Sequence, residues 1–523
     1  MEDPIGPEAL REAARLRYEL SRLRDRRTVR AALAIGEFRR AGAGPAFAAL
    51  RGRAPRMDVP GPTTVPLRPP FPHLRVLCTG EGQLVASTAA HERVDPATGV
   101  PLLRRDRPDL VLVDGLAGWT AAELAELRAH AREAGIPVVT LGQEPADALP
   151  DAELRVAGPA PVRGAHLDIG ATVDIRSWSP AGLQTSVPAH QRSDPSDMTP
   201  AEARRQPVVV VPDVGSVGVR RILELLSAGA LVLTGPDSEL ADALAPHHDE
   251  VVGPVDTLAE RAAAMLADDD RRDRTSVRLR RQIHARRATR GALIAVVEAL
   301  DLDVRPSERI SVLLPTTRPE RVGQTLDDLA AQRHPDVEVL VLAHGDAPLP
   351  DRLGVAQVIR VAETRPLGAV LNVGLDQATG HVVAKVDDDD RYGPDHLGDQ
   401  LLALHHSGAE LTGKRIHGVY DEAADETIVP ARGAEPGEEC YEDHLPGGTL
   451  LLPADVLRSV RWRHVPRGVD TELVRAVHLG GGSVYSTHRY GYVRVRHGDH
   501  LYEPEVAWAG VRVRGFDLRL LDA

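Results

Sequence analysis

Residues 8–40 carry leucines at helical spacing among many charges, in the stretch LREAARLRYELSRLRDRR. That pattern predicts a packing or dimerising helix. Prolines at 60, 62, 66, 69, 70 and 72 then interrupt any regular element. From 74 onward, short apolar runs alternate with helical patterns. LRVLCTG (74–80), DLVLVDG (109–115) and IPVVTLG (136–142) read as strands, with a helix over 120–134. PVVVVPD (207–213), a helix over 217–228 and ALVLTG (230–235) repeat the rhythm after a polar segment at 170–206. Long helices are predicted at 256–267 and 276–300. A second alternating region starts with RISVLLP (309–315). It continues with a helix over 320–332, VEVLVLA (337–343), a helix over 366–379 and HVVAKV (381–386). A helix near 394–406, a strand at 448–453, a helix at 470–479 and a strand at 483–486 complete it. Strand–helix–strand order with short links predicts an α/β protein with parallel sheets.

Composition narrows this picture. A chain of 523 residues has room for two to four domains at roughly 100–200 residues each. Its hydrophobic content of 42% is enough for buried cores. No apolar run reaches the roughly 18 residues of a membrane span, and the start MEDPIGPEAL lacks a signal-peptide pattern. Two distant cysteines, Cys78 and Cys440, make no disulfide framework and favour a reducing compartment. The net charge of -13 disfavours a broad nucleic-acid surface. The basic residues are almost all arginine; the lysines are Lys385 and Lys414.

The chemistry concentrates at Asp387, Asp388, Asp389 and Asp390, directly after the 381–386 strand. The carboxyl ends of strands are where open α/β sheets bind ligands. Asp387 and Asp389, two apart in an extended turn, can address one locus. Hard carboxylate oxygens suit Mg2+ or Mn2+ carrying substrate phosphates. A solvated acidic turn or a helix cap is the plainer alternative.

Residues 309–400 resemble the donor-binding half of family 2 glycosyltransferases of the GT-A fold. The resemblance rests on SVLLPTTRPERVGQTLDDLAAQ and on RPLGAVLNVGLDQATGHVVAKVDDDDRYGPDHL. It implies that Thr316 and Arg318 line the nucleotide site. Asn372, with Leu367 and Gly368, would lie beside the base or ribose. Asp387 and Asp389 would be the metal and donor carboxylates, with Asp388 close to the donor sugar or ribose. The family's usual base-reading aspartate after the second strand is replaced by Ala343, leaving His344 or the displaced Asp346 as substitutes.

On the acceptor side, GTLLLPADVLRSVRW and PRGVDTELVRAVHLGG resemble the family's strand, loop and base-bearing helix. Asp470 becomes the candidate catalytic base and Glu472 its local competitor; Asp470 is also a good helix N-cap. Gly447 and Gly448 would let an acceptor approach the backbone, and Trp462 is a candidate sugar platform or a packing residue. The late stretch RYGYVRVRHGDHLYE offers His497 and His500 as metal or phosphate contacts.

The first α/β region resembles the donor lobe of spore-maturation-type GT-B glycosyltransferases. RRILELLSAGALVLTG places Arg221, Glu224 and Gly229 in that family's phase, with Glu224 implied to hold ribose hydroxyls. The expected architecture is therefore an N-terminal helical segment and linker (1–70), a compact GT-B-like double lobe (71–300) and a GT-A mixed-sheet domain (301–523).

The expected function is an inverting, Mn2+- or Mg2+-dependent glycosyltransferase. It would move a sugar from a nucleotide diphosphate donor to a hydroxyl of a surface glycan, lipid-linked glycan or protein. The alternatives are a sugar-nucleotide nucleotidyltransferase and a non-catalytic glycan- or nucleotide-binding protein. No nucleic-acid partner is expected. The expected location is the cytoplasm, with peripheral contact at the inner membrane face and homo-oligomerisation left open.

Overall fold

The computed structural model describes residues 71–79, 89–95, 97–113, 119–141, 154–157, 166–168, 194–204, 206–302, 308–345, 349, 352–430, 437–465, 467–497 and 510–523. The helix expected over 8–40, the linker prolines 60 to 70, Asp346 and His500 lie outside these residues; Pro72, expected to interrupt regular structure, lies instead in the strand Phe71–Cys78. The described chain falls into two compact units, one within Leu67–Ser307 and one over Glu308–Ala523.

In the first unit, a six-stranded all-parallel sheet runs in the order Ala89–Arg93, Phe71–Cys78, Leu110–Val113, Val138–Leu141, Leu154–Ala157, His166–Asp168. Alternate side chains go to opposite faces. Leu77, Val111 and Val113 pack with Leu103, Leu124 and Leu127 from the helices Gly99–Asp106 and Ala121–Glu133. The second of these helices starts at a capping box formed by Thr120 and Glu123. The opposite face buries Leu74, Val76, Leu110 and Leu112 against Leu293, Val296 and Val297.

A separate core surrounds a two-stranded parallel sheet, Val208–Val211 with Leu231–Thr234, and the helix Val219–Ala228. The helix expected over 276–300 is two helices, Asp269–Arg286 and Thr289–Ala299, parted by extended backbone at Ala288. The break has a packing reason. Leu279, Ile283 and Ala288 belong to the core of the two-stranded sheet, whereas Leu293 onward belongs to the six-stranded sheet. One straight helix cannot serve both.

The second unit is built on a nine-stranded mixed sheet. Its order is Arg352–Leu353, Ala356–Val361, Val337–His344, Ile310–Thr316, Val382–Lys385, Leu451–Pro453, Leu411–Gly413, Val484–Ser486, Cys440–Tyr441. Strands 310–316, 337–344 and 382–385 are mutually parallel, so their carboxyl ends share one edge. Strand 451–453 runs antiparallel beside them and brings the loop before it to that edge. A five-stranded sheet joins Arg391–Tyr392, Tyr492–Arg496, Gly418–Asp421, Glu426–Pro430 and Gly510–Arg514. Among the described residues, no helix is long and apolar enough to cross a membrane.

Candidate active site

Strand Val382–Lys385 is buried at every position, and the four aspartates emerge from its end. Thr316, at the end of the neighbouring strand, donates its hydroxyl to Asp388 Oδ2 at 2.6 Å. Its Oγ1 also accepts the backbone N–H of Arg318 at 2.9 Å. The Arg318 guanidinium pairs with Asp388 and, at 2.7 Å, with Asp389 Oδ2. Burial pushes the Asp388 carboxyl up, while Arg318 and Thr316 oppose the rise.

Beneath the turn, Lys385 is only 3% exposed. Its ammonium lies 2.6 Å from Asp387 Oδ1 and 3.5 Å from Asp470 Oδ2. Burial works to lower its pKa, yet the charges of Asp387 and Asp470 hold it above the ordinary value. The acidic turn and the helix Val469–Leu479 therefore share one cation, across 83 positions of sequence (470 minus 387).

Asp470 stands in the first turn of the helix Val469–Leu479. It is not the N-cap; that place belongs to Gly468, in the left-handed region at φ 70°. The Asp470 side chain is about a quarter exposed, at 27%. Its Oδ1 is nonetheless buried and without a hydrogen-bond partner. Burial raises its carboxyl pKa and Lys385 opposes the rise. Glu472, one turn face away, pairs with Arg463 and Arg475.

The glycines at 447 and 448 fit between these carboxylates. A Cβ on Gly447 would overlap Asp470 Oδ2, and one on Gly448 would stand 2.9 Å from Asp387 Oδ2 and 3.0 Å from Asp390 Oδ2. Two tyrosines fix the turn from below. Tyr392 receives the N–H of Asp387 at 2.9 Å and donates to the carbonyl of Gly448 at 2.8 Å. Tyr492 donates to Asp390 Oδ2 at 2.6 Å. Burial, then the charges of Asp387 and Asp389, push the Asp390 carboxyl up to about 7. Lys385, Tyr392 and Tyr492 were not singled out by sequence reasoning as site residues, and Asp390 was named in the acidic run without a role of its own. The lysine's rarity in this arginine-rich chain was the available signal.

Other candidates take different places. Asn372 clamps the backbone of Trp462, donating to its carbonyl at 2.8 Å and accepting its N–H at 3.1 Å. Trp462 is 2% exposed within the core, so the sugar-platform reading fails there. A Cβ on Gly368 would overlap the Arg463 carbonyl, which explains the small residue at that helix start. His344 sits at the shared strand edge and its Nε2 meets the Glu363 carbonyl at 3.2 Å. His497 pairs with Glu422 at 2.7 Å, each one residue past the end of a strand of the five-stranded sheet. In the first unit, Glu224 is held by Arg220 at 3.3 Å and Arg221 at 3.0 Å, and Arg221 also binds the carbonyls of Pro195 and Met198.

The donor set suits a hard dication in kind. Asp387 to Asp390 and Asp470 bring five carboxyl groups to a place where Lys385 and Arg318 are cationic partners. Among the described residues, no three or more His, Cys, Asp or Glu side chains form a metal-holding group.

Comparison with known proteins adds a family. Residues 311–429, within the C-terminal unit, match the model of glycosyl transferase family 2. No curated protein matches the chain. Among solved structures, residues 1–349 of S. aureus TarS with UDP-GlcNAc align at 20% identity and a TM-score of 0.31, over 38% of this chain and 62% of that one. The unliganded fragment aligns at 17% identity and a TM-score of 0.28, over 36% and 60%. A longer TarS structure aligns at 18% identity and a TM-score of 0.28, over 36% and 37%. This chain thus spans less than two thirds of each of these structures.

Proposed function

We propose that the C-terminal unit is an inverting glycosyltransferase. It passes a sugar from a nucleoside diphosphate donor to a hydroxyl of a glycan, lipid-linked glycan or protein. The observation that carries this reading is the buried ammonium of Lys385, which brings Asp387 and Asp470 to one locus. Thr316 and Arg318 line the nucleotide side and Asp470 the acceptor side. The acceptor oxygen bonds to the anomeric carbon as the bond from that carbon to the diphosphate oxygen breaks. The electron pair leaves with the diphosphate, and the acceptor proton passes to Asp470. Asp387 and Asp389 would hold Mn2+ or Mg2+, which when bound supplies charge neutralisation for the departing diphosphate.

The parallel two-core plan of the first unit supports a GT-B-like reading. Glu224 already has its oxygens engaged by Arg220 and Arg221, which favours a scaffold over a second catalytic centre.

A product assay tests the function. The chain is incubated with a panel of sugar nucleotides and hydroxyl acceptors, with Mn2+ or Mg2+ and then with chelator. Nucleoside diphosphate release that needs the cation is expected. Release of pyrophosphate from a sugar phosphate and a nucleoside triphosphate would instead identify a nucleotidyltransferase.

A further inference from the structure

The chain has 63 lysine and arginine residues, of which two are lysines. Both lysines are buried in the C-terminal unit, Lys385 at 3% and Lys414 at 0% exposure. Arg272, Arg280 and Arg489 are buried as well, so what distinguishes each lysine is what its ammonium meets. Lys414 donates to Thr487 Oγ1 and the His488 carbonyl, both at 2.9 Å, and serves the core. Lys385 instead faces two carboxylates that the proposed reaction uses.

The position of its ammonium is fixed from several sides. Lys385 pairs with Leu313 on the adjacent strand, and its N–H donates to the Leu450 carbonyl at 2.8 Å. Leu450 directly follows the turn Gly447–Thr449. That turn presses Gly447 against Asp470 Oδ2, the oxygen 3.5 Å from the ammonium. One oxygen of Asp470 is thereby hemmed between glycine and lysine. The other, Oδ1, has no hydrogen-bond partner. A compact ammonium with three donors can serve Asp387 and Asp470 together, where a guanidinium would impose its own plane.

We infer that Lys385 is the positioning residue for the catalytic base: it ties Asp470 Oδ2 to the acidic turn and so fixes the orientation of the carboxylate. This rests on the transferase reading above.

The test is a cycle of K385M, D470N and the double variant in the full chain. Turnover is measured by nucleoside diphosphate release, and unfolding in urea is followed alongside. K385M is expected to lower kcat by roughly 10²-fold, the scale of a misplaced general base, with little change in acceptor KM. The double variant is expected to be no slower than D470N alone, because Lys385 acts through Asp470. Losses that multiply in the double variant, or an unchanged kcat in K385M, would overturn the inference. K385Q, neutral but polar, replaces K385M if the latter does not fold, with the same criteria. A wild-type chain that turns over no donor contradicts the transferase reading instead. The unfolding cycle then decides the tether: coupled destabilisations of K385M and D470N support it, and additive ones reject it.

Discussion

At 447, the absence of a side chain is the functional property. The first methyl carbon of any larger residue would occupy the volume of Asp470 Oδ2. Either the carboxylate swings away from Lys385 or the Gly447–Thr449 turn shifts and drags strand Leu451–Pro453 with it. G447A is therefore expected to lose about 1–3 kcal/mol of stability, as overpacked sites do, and to lose turnover by about 10²-fold as the base is displaced. Thermal unfolding and nucleoside diphosphate release on the same preparation check both. Full turnover in G447A would mean that the Asp470 orientation seen here is not the working one. Gly448 is constrained from the other side, by Asp387, Asp390 and Tyr492. The pair of glycines had been read from sequence as room for an acceptor; in the structure the room is taken by carboxylates.

The elements of the C-terminal unit were legible because their signals are local. Ile310–Thr316, Val337–His344 and Val382–Lys385 are apolar runs ended by polar turns, and the helix Val469–Leu479 keeps its apolar spacing. What was not legible is long-range. Asp390 is held by Tyr492 and the N–H of Val495, more than a hundred residues away. Lys385, read simply as part of an interior strand, shows its role only once the helix carrying Asp470 is in place. Asn372 was assigned to the nucleotide by motif, yet its amide holds Trp462. The same elements carry a pH dependence. His478, in the last turn of the helix 469–479, is pushed down to about 4 by burial. His417, just before the strand Gly418–Asp421, is pushed down to about 3 by burial and then by Arg494. Both are neutral when folded and take a proton below about 6.5 when unfolded, so the unfolded state binds more protons as pH falls. Their contribution to stability is full above about 6.5 and shrinks from there toward pH 4. The raised carboxyls of Asp388, Asp390 and Asp470 act in the opposite sense over the same window, so the histidine part is read by difference: H478Q should lose less stability than the wild type between pH 7 and 4.5 in urea unfolding, and an identical pH dependence in the two would contradict the burial of this ring.

For the whole molecule, two units of different plan lie in one chain. The alternation of strands and helices announced both, but the return of Thr289–Ala299 from one core to the other was hidden within a continuous apolar and arginine-rich pattern. Chemistry gathers in the second unit, where a family 2 glycosyltransferase domain is matched. In the first, the candidate ribose carboxylate is engaged by arginines. The central claim is that the turn bearing Asp387 and Asp389 supports sugar transfer toward Asp470. Its most direct measurement is nucleoside diphosphate release by the folded D387A/D389A double variant, beside the wild type, with Mn2+ or Mg2+ present. Release is expected to fall by at least about 10²-fold while the unfolding transition remains cooperative; a double variant that turns over at the wild-type rate would contradict sugar transfer at this turn.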